Sequence, residues 1–111
     1  MHPLTRWLLA FAFTQAVEVG VYRRALGDSM RRPWLWALVP SAVTHPWVWF
    51  AFPLAPVGYR TMVVLAEAFA VGVEALLLRR WGVRRALAWS LVANGLSLGL
   101  GLASRHLFGL P

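Results

Sequence analysis

Residues 61–89 read TMVVLAEAFAVGVEALLLRRWGVRRALAW: an apolar run, a double arginine, a short turn, a second double arginine and the start of another apolar run. The first run has the length that crosses a bilayer, about 17–25 residues. It carries Glu67 and Glu74 inside it. Arginines gathered at the connection between two such runs mark the cytoplasmic end of a helical hairpin. The same order recurs upstream. Phe13, Val17, Glu18, Arg23 and Arg24 match Phe69, Val73, Glu74, Arg79 and Arg80 at an offset of 56 residues. Arg31, Arg32, Trp36, Leu38, Val39, Ser41 and Thr44 match Arg84, Arg85, Trp89, Leu91, Val92, Asn94 and Ser97 at an offset of 53. Ten of these twelve pairs are identical, and the last two exchange one small polar residue for another.

The pattern predicts an all-α membrane protein with four transmembrane helices, built as two tandem helical hairpins. Each unit enters the membrane in the same sense, so the two are parallel repeats related by an axis along the membrane normal. The spans are expected near Leu4–Tyr22, Pro33–Phe52, Thr61–Leu78 and Ala86–Leu102. A single domain covers residues 1–111, with repeat 1 at about 1–53 and repeat 2 at about 60–105. An apolar content of 59% and a mean hydropathy of +0.61 are too high for a water-soluble domain of this length. A soluble bundle with buried helices is the alternative.

All eleven basic residues are arginine. Eight lie in the first and third connections, against Arg6, Arg60 and Arg105 at the other ends. That bias places both termini outside and the double arginines inside, against anionic headgroups. The expected location is the cytoplasmic membrane of a bacterium or archaeon, with the lipid bilayer as first partner. Nucleic acid is not an expected partner, because the charge sits at helix ends rather than on one soluble face. Trp34, Trp36 and Trp81 fall at the inner boundary and Trp7, Trp47 and Trp49 toward the outer one, as aromatic belts do. With no cysteine, the chain has no disulfide, thiolate metal site or cysteine nucleophile.

Function is sought in the polar residues inside the apolar runs, where a carboxylate costs several kcal/mol and normally meets a partner, water or an ion. Thr14, Gln15 and Glu18 share one helical face; so do Ser41, Thr44 and His45, Glu67 and Glu74, and Ser90, Asn94 and Ser97. Counting from the arginines puts Glu18 and Glu74 at about 7–8 Å depth, Ser41 and Asn94 at about 13–14 Å, and Thr44, Ser97, His45 and Glu67 at about 18–20 Å. Two layers are therefore expected: an inner carboxyl pair able to share a proton, and a midplane Glu67–His45 level with hydroxyls around it. Glu67 and His45 also break the internal symmetry, their counterparts being Phe11 and Leu98. The competing expectations are arginine partners for Glu18 and Glu74, a neutral hydrogen-bonded Glu67, and a packing role for His45. Pro40 and Pro46 should interrupt the second helix, and Gly95 and Gly99 should allow close packing on the fourth.

The stretch Gln15-Ala16-Val17-Glu18-Val19-Gly20 is similar to the first-helix signature of the small multidrug resistance transporters, around that family's proton-binding glutamate. The resemblance implies proton binding at Glu18. Glu67, Glu74 and the arginine bias depart from that family's pattern, and the family is not adopted.

Three classes of function follow. In the first, proton- or cation-coupled transport of a small solute or ion, Glu67 binds the ion or proton, His45 relays it, and Glu18 with Glu74 form the inner exit. Gln15, Ser41, Thr44, Asn94 and Ser97 support this polar interior. Four helices enclose little space, so the pathway is expected to need a homo-oligomer. In the second, the chain is a non-catalytic subunit or assembly factor of a larger membrane complex. In the third, a membrane enzyme holds a metal ion on Glu18, His45, Glu67 and Glu74, a ligand set suited to iron, manganese or zinc. No Glu-x-x-His pair, zinc-protease helix, serine elbow or phosphate loop accompanies these residues, and no cofactor is predicted.

Overall fold

The computed structural model describes residues 2–28 and 31–108, and among them the chain is all-helical. Helix α1 spans Pro3–Leu26, α2 Pro33–Ala37, α3 Val39–Pro46, α4 Tyr59–Arg80 and α5 Ala86–Phe108. A π-helical turn (Trp47–Ala51) and a 3-10 turn (Phe52–Leu54) continue α3, so residues 33–54 form one interrupted rod. Proline causes the interruptions. The missing N–H of Pro40 and Pro46 takes a donor out of the ladder each time, and the helix changes pitch to pass it. Side chains brace the rod here: Gln15 Nε2 donates to Leu38 O at 3.3 Å, which also accepts from the Ala42 N–H at 3.2 Å, and Thr44 Oγ1 donates to Pro40 O at 3.2 Å.

Two of the four expected spans are long and apolar enough to cross a membrane, α4 with a mean hydropathy of 2.0 and Ala86–Leu107 of α5 with 1.5. Only 22% and 28% of those windows is buried, whereas a core helix of a soluble protein would be mostly covered. Val64 is 66% exposed and Leu76 67%. Helix α1 has the length, but Arg6, Thr14, Gln15 and Glu18 dilute its apolar run. The bundle is 40 Å long, enough for a hydrocarbon core of about 30 Å and its borders.

The helices interleave. Helix α1 packs on α5, α2 and α3, and α4 packs on α5 and α3. Both hairpin turns use the same backbone device. Gly27 (φ 63°) ends α1, and Gly82 (φ 86°) follows α4, positions where a Cβ would be strained. After α4, the Gly82 N–H donates to Arg79 O at 3.0 Å and the Val83 N–H to Leu78 O at 2.9 Å, closing the helix end. Arg32 (φ 55°) and Arg85 (φ 56°), an offset of 53 apart, then start the next helices in left-handed conformation. Their carbonyls accept from Trp36 and Trp89, which are also offset by 53.

At this end Tyr22, Leu26, Ala37, Leu78, Ala86 and Ala93 form the apolar core, with Trp81 and Trp89 packed on it. Trp36 meets Trp81 edge-on at 5.3 Å, and Arg23 lies 5.6 Å from the Trp34 ring while pairing with Asp28 at 2.8 Å. Gly95 and Gly99 face outward, with open space where a Cβ would stand. The side chain of Trp7 lies outside the described residues.

Candidate functional site

The polar stripes meet inside the bundle. Glu18, Ser41, Thr44, His45, Glu74, Ser90, Asn94 and Ser97 are all buried. Glu18 Oε1 accepts from Ser41 Oγ at 2.5 Å, and its Oε2 accepts from Ser97 Oγ at 2.6 Å. Glu74 Oε2 accepts from Thr44 Oγ1 at 2.6 Å, and its Oε1 accepts from Asn94 Nδ2 at 3.1 Å and from the Tyr22 hydroxyl. These donors stand one turn apart on each helix, Ser41 and Thr44 on α3 and Asn94 and Ser97 on α5, so the two carboxyl groups lie side by side.

These bonds fall into pairs that the sequence offsets interchange. Glu18–Ser41 corresponds to Glu74–Asn94, and Glu18–Ser97 to Glu74–Thr44. Each carboxyl thus takes one donor from its own hairpin and one from the other. Tyr22 stands outside the pairing, because position 78 holds leucine. Asn94 Nδ2 also donates to Ser90 O at 3.0 Å, and Ser90 Oγ to Val71 O at 2.8 Å, which ties the amide to α4 and α5 together.

The expected separation into two layers is corrected on this point: Ser41, Thr44, Asn94 and Ser97 belong with the inner carboxyl pair. Two causes act together. Arg23 and Arg79 lie inside the last turns of α1 and α4, whereas Arg32 and Arg85 precede the next helices, so the arginines are not one common level. Counted from the helix ends at Leu26 and Pro33, Glu18 and Ser41 are each about 12 Å in. Side chains also tilt toward their own helix N-terminus, so those of α1 and α4 lean toward those of the antiparallel α3 and α5. Arginine is not the partner: among the described residues neither Glu18 nor Glu74 forms an ion pair with one.

Beyond the carboxyl pair opens a cavity of about 510 Å³. Glu18, Glu74, Asn94 and Ser97 line its base, Phe13, Trp49, Val63 and Leu98 its wall, and Arg6, Tyr59 and Arg105 its rim at the terminal end of the bundle. The opposite end is closed by the apolar core around Tyr22 and Leu78. Glu67 is half-buried on the wall, as is Thr14. His45 also lines it, its ring 5.0 Å from Phe11 and stacked at 6.0 Å on Trp49. Trp49 thus lines the cavity. Gln15 is half-buried and bonded to the kink at Leu38.

Tyr22 is the site residue that sequence reasoning passed over. It lies one turn from Glu18 on the same face, and at the offset of 56 it faces Leu78 rather than another tyrosine, which together could have marked it. Among the described residues no three His, Asp or Glu side chains converge to hold a metal ion. What the site offers instead is adjoining carboxyl groups, hydroxyl and amide donors, and a route from one end. Comparison with known proteins gives no match: no family model, curated protein or solved structure is similar to this chain.

Proposed function

We propose that the chain is a small membrane transporter in which Glu18 and Glu74 couple movement of a proton or cation to that of a small solute. The observation that carries this is the seating of two carboxyl groups side by side, on donors one turn apart, at the closed end of a cavity that is open at its other end. Adjoining carboxyl groups in a low dielectric need a proton or another cation between them. A solute or ion arriving from the rim competes for that place, and its arrival displaces the proton. Glu67 and His45, on the wall between rim and base, are the relay positions.

In this proposal α1 and residues 33–54 join α4 and α5 as membrane spans, with their polar groups turned to the interior and both termini outside. Duplication of one hairpin accounts for the interchangeable hydrogen bonds at the two glutamates and for the matching φ angles at Arg32 and Arg85.

The test is proton movement in liposomes that hold a pH-sensitive dye, driven by gradients of small amines, zwitterions and alkali cations. Glutamine keeps the shape of glutamate and much of its hydrogen bonding but cannot carry the proton. Glu18→Gln and Glu74→Gln should each abolish solute-driven proton flux in protein that remains folded. Undiminished flux in both variants would remove the carboxyl pair from the mechanism.

A further inference from the structure

We infer that the cavity takes a small zwitterion, a solute with an ammonium group at one end and a carboxylate at the other, bound cationic end first. The inference rests on the transport proposal for the same site and names its substrate class. Charge is sorted along the cavity. Glu18 and Glu74 lie at the base and Glu67 on the wall, while Arg6 and Arg105 stand at the rim. Arg105 is held there, its Nη1 donating to the Tyr59 hydroxyl at 3.4 Å.

The two signs are spaced for one short molecule. Tyr59 and Glu67 are eight residues apart on α4, about 12 Å along its axis. Arg105 leans toward the N-terminus of α5, which is into the cavity, and Glu67 leans toward the N-terminus of α4, which is toward the rim. Their charged ends are therefore closer than their backbones. A solute with only positive charge has to sit below two guanidinium groups, and one with only negative charge has to settle among three carboxyl groups. Each meets repulsion at one end, and like-charge juxtaposition is a strong discriminator. A zwitterion is complementary to both ends. Between the ends, the wall carries Phe13, Trp49, Val63 and Leu98 alongside Thr14 and His45. That wall suits a short hydrocarbon spacer, and aromatic faces attract an ammonium group.

The experiment is calorimetric titration of the protein in lipid nanodiscs with glycine, β-alanine and γ-aminobutyrate, and with butylammonium and butyrate as carriers of one charge each. The best zwitterion should bind about tenfold or more tighter than either single-charge probe, the gain expected of one added charge-assisted contact. Arg105→Gln should lose the preference over butylammonium, and Glu67→Gln the preference over butyrate, with folding of each checked by circular dichroism. Equal or tighter binding of butylammonium or butyrate overturns the inference. So does absence of saturable zwitterion binding to folded protein. An Arg105→Gln variant with its preference intact also overturns it, leaving that arginine as a lipid headgroup anchor. Zwitterion binding without proton flux upholds the substrate class and sinks the coupling proposal. Proton flux driven equally by butylammonium does the reverse.

Discussion

Replacing Glu74 by alanine and by glutamine separates its structural from its proton-carrying role. Glu74 accepts from Tyr22, Asn94 and Thr44. Alanine removes all three bonds, but their donors fare differently. Thr44 retains Pro40 O at 3.2 Å, and Asn94 retains Ser90 O at 3.0 Å. The Tyr22 hydroxyl, fully buried, loses Glu74 as the acceptor of its hydrogen. One orphaned hydroxyl costs about 1–3 kcal/mol. Three interhelical polar contacts at the membrane average of about 0.6 kcal/mol give about 2 kcal/mol, the same size. Glu74→Ala is therefore expected to lose about 2 kcal/mol. Glu74→Gln should lose less than about 1 kcal/mol, because its amide oxygen still faces Tyr22 and Asn94 while Thr44 turns its hydrogen to Pro40. Glu18→Ala, which removes two contacts and leaves Ser97 its bond to Asn94 O at 3.2 Å, should cost about 1 kcal/mol. Reversible detergent-denaturant unfolding of the purified protein, followed by circular dichroism, measures all three. Equal stability of the alanine and glutamine variants at position 74, or a larger loss at Glu18 than at Glu74, would refute the argument from these hydrogen bonds.

The hairpin turns give a pair of opposite effects by the same unfolding assay. Gly82→Ala, at φ 86°, should destabilise by about 1 kcal/mol, whereas Arg85→Gly, at φ 56°, should relieve a left-handed non-glycine residue and offset that loss within a few tenths. Because the chain has no cysteine, single-cysteine variants report access directly. In sealed vesicles with the terminal end outward, Val63→Cys and Leu98→Cys on the cavity wall should react with a small hydrophilic thiol reagent, and Leu78→Cys in the apolar core should not. Labelling of Leu78→Cys at the same rate would mean the inner end is not closed. With an impermeant reagent, His106→Cys should label from outside and Arg84→Cys only after the vesicles are opened, and the reverse order would invert the topology.

The apolar runs, the arginine pairs and the recurrence of Glu18 at Glu74 were legible in the sequence because each depends on local order along one helix. The four polar stripes were legible for the same reason, since helical spacing alone puts Glu67 with Glu74 and Ser90 with Asn94 and Ser97 on one face. What spacing along one helix leaves open is the alignment between helices. Depth counted from the arginines separated Ser97 from Glu18, yet the two share a hydrogen bond of 2.6 Å. The arginines stand at different levels on successive helices, and antiparallel side chains lean toward each other across the gap. Both facts belong to the assembled bundle. Tyr22 shows the same limit: its sequence marks it as one aromatic residue near an inner boundary, and only packing turns its hydroxyl onto Glu74. The cavity, too, is a tertiary product. The prolines at 40 and 46 foretold an interrupted helix, but the packing of α1, α4 and α5 around that rod decided that the interruption borders a cavity of about 510 Å³ with glutamates at one end and arginines at the other.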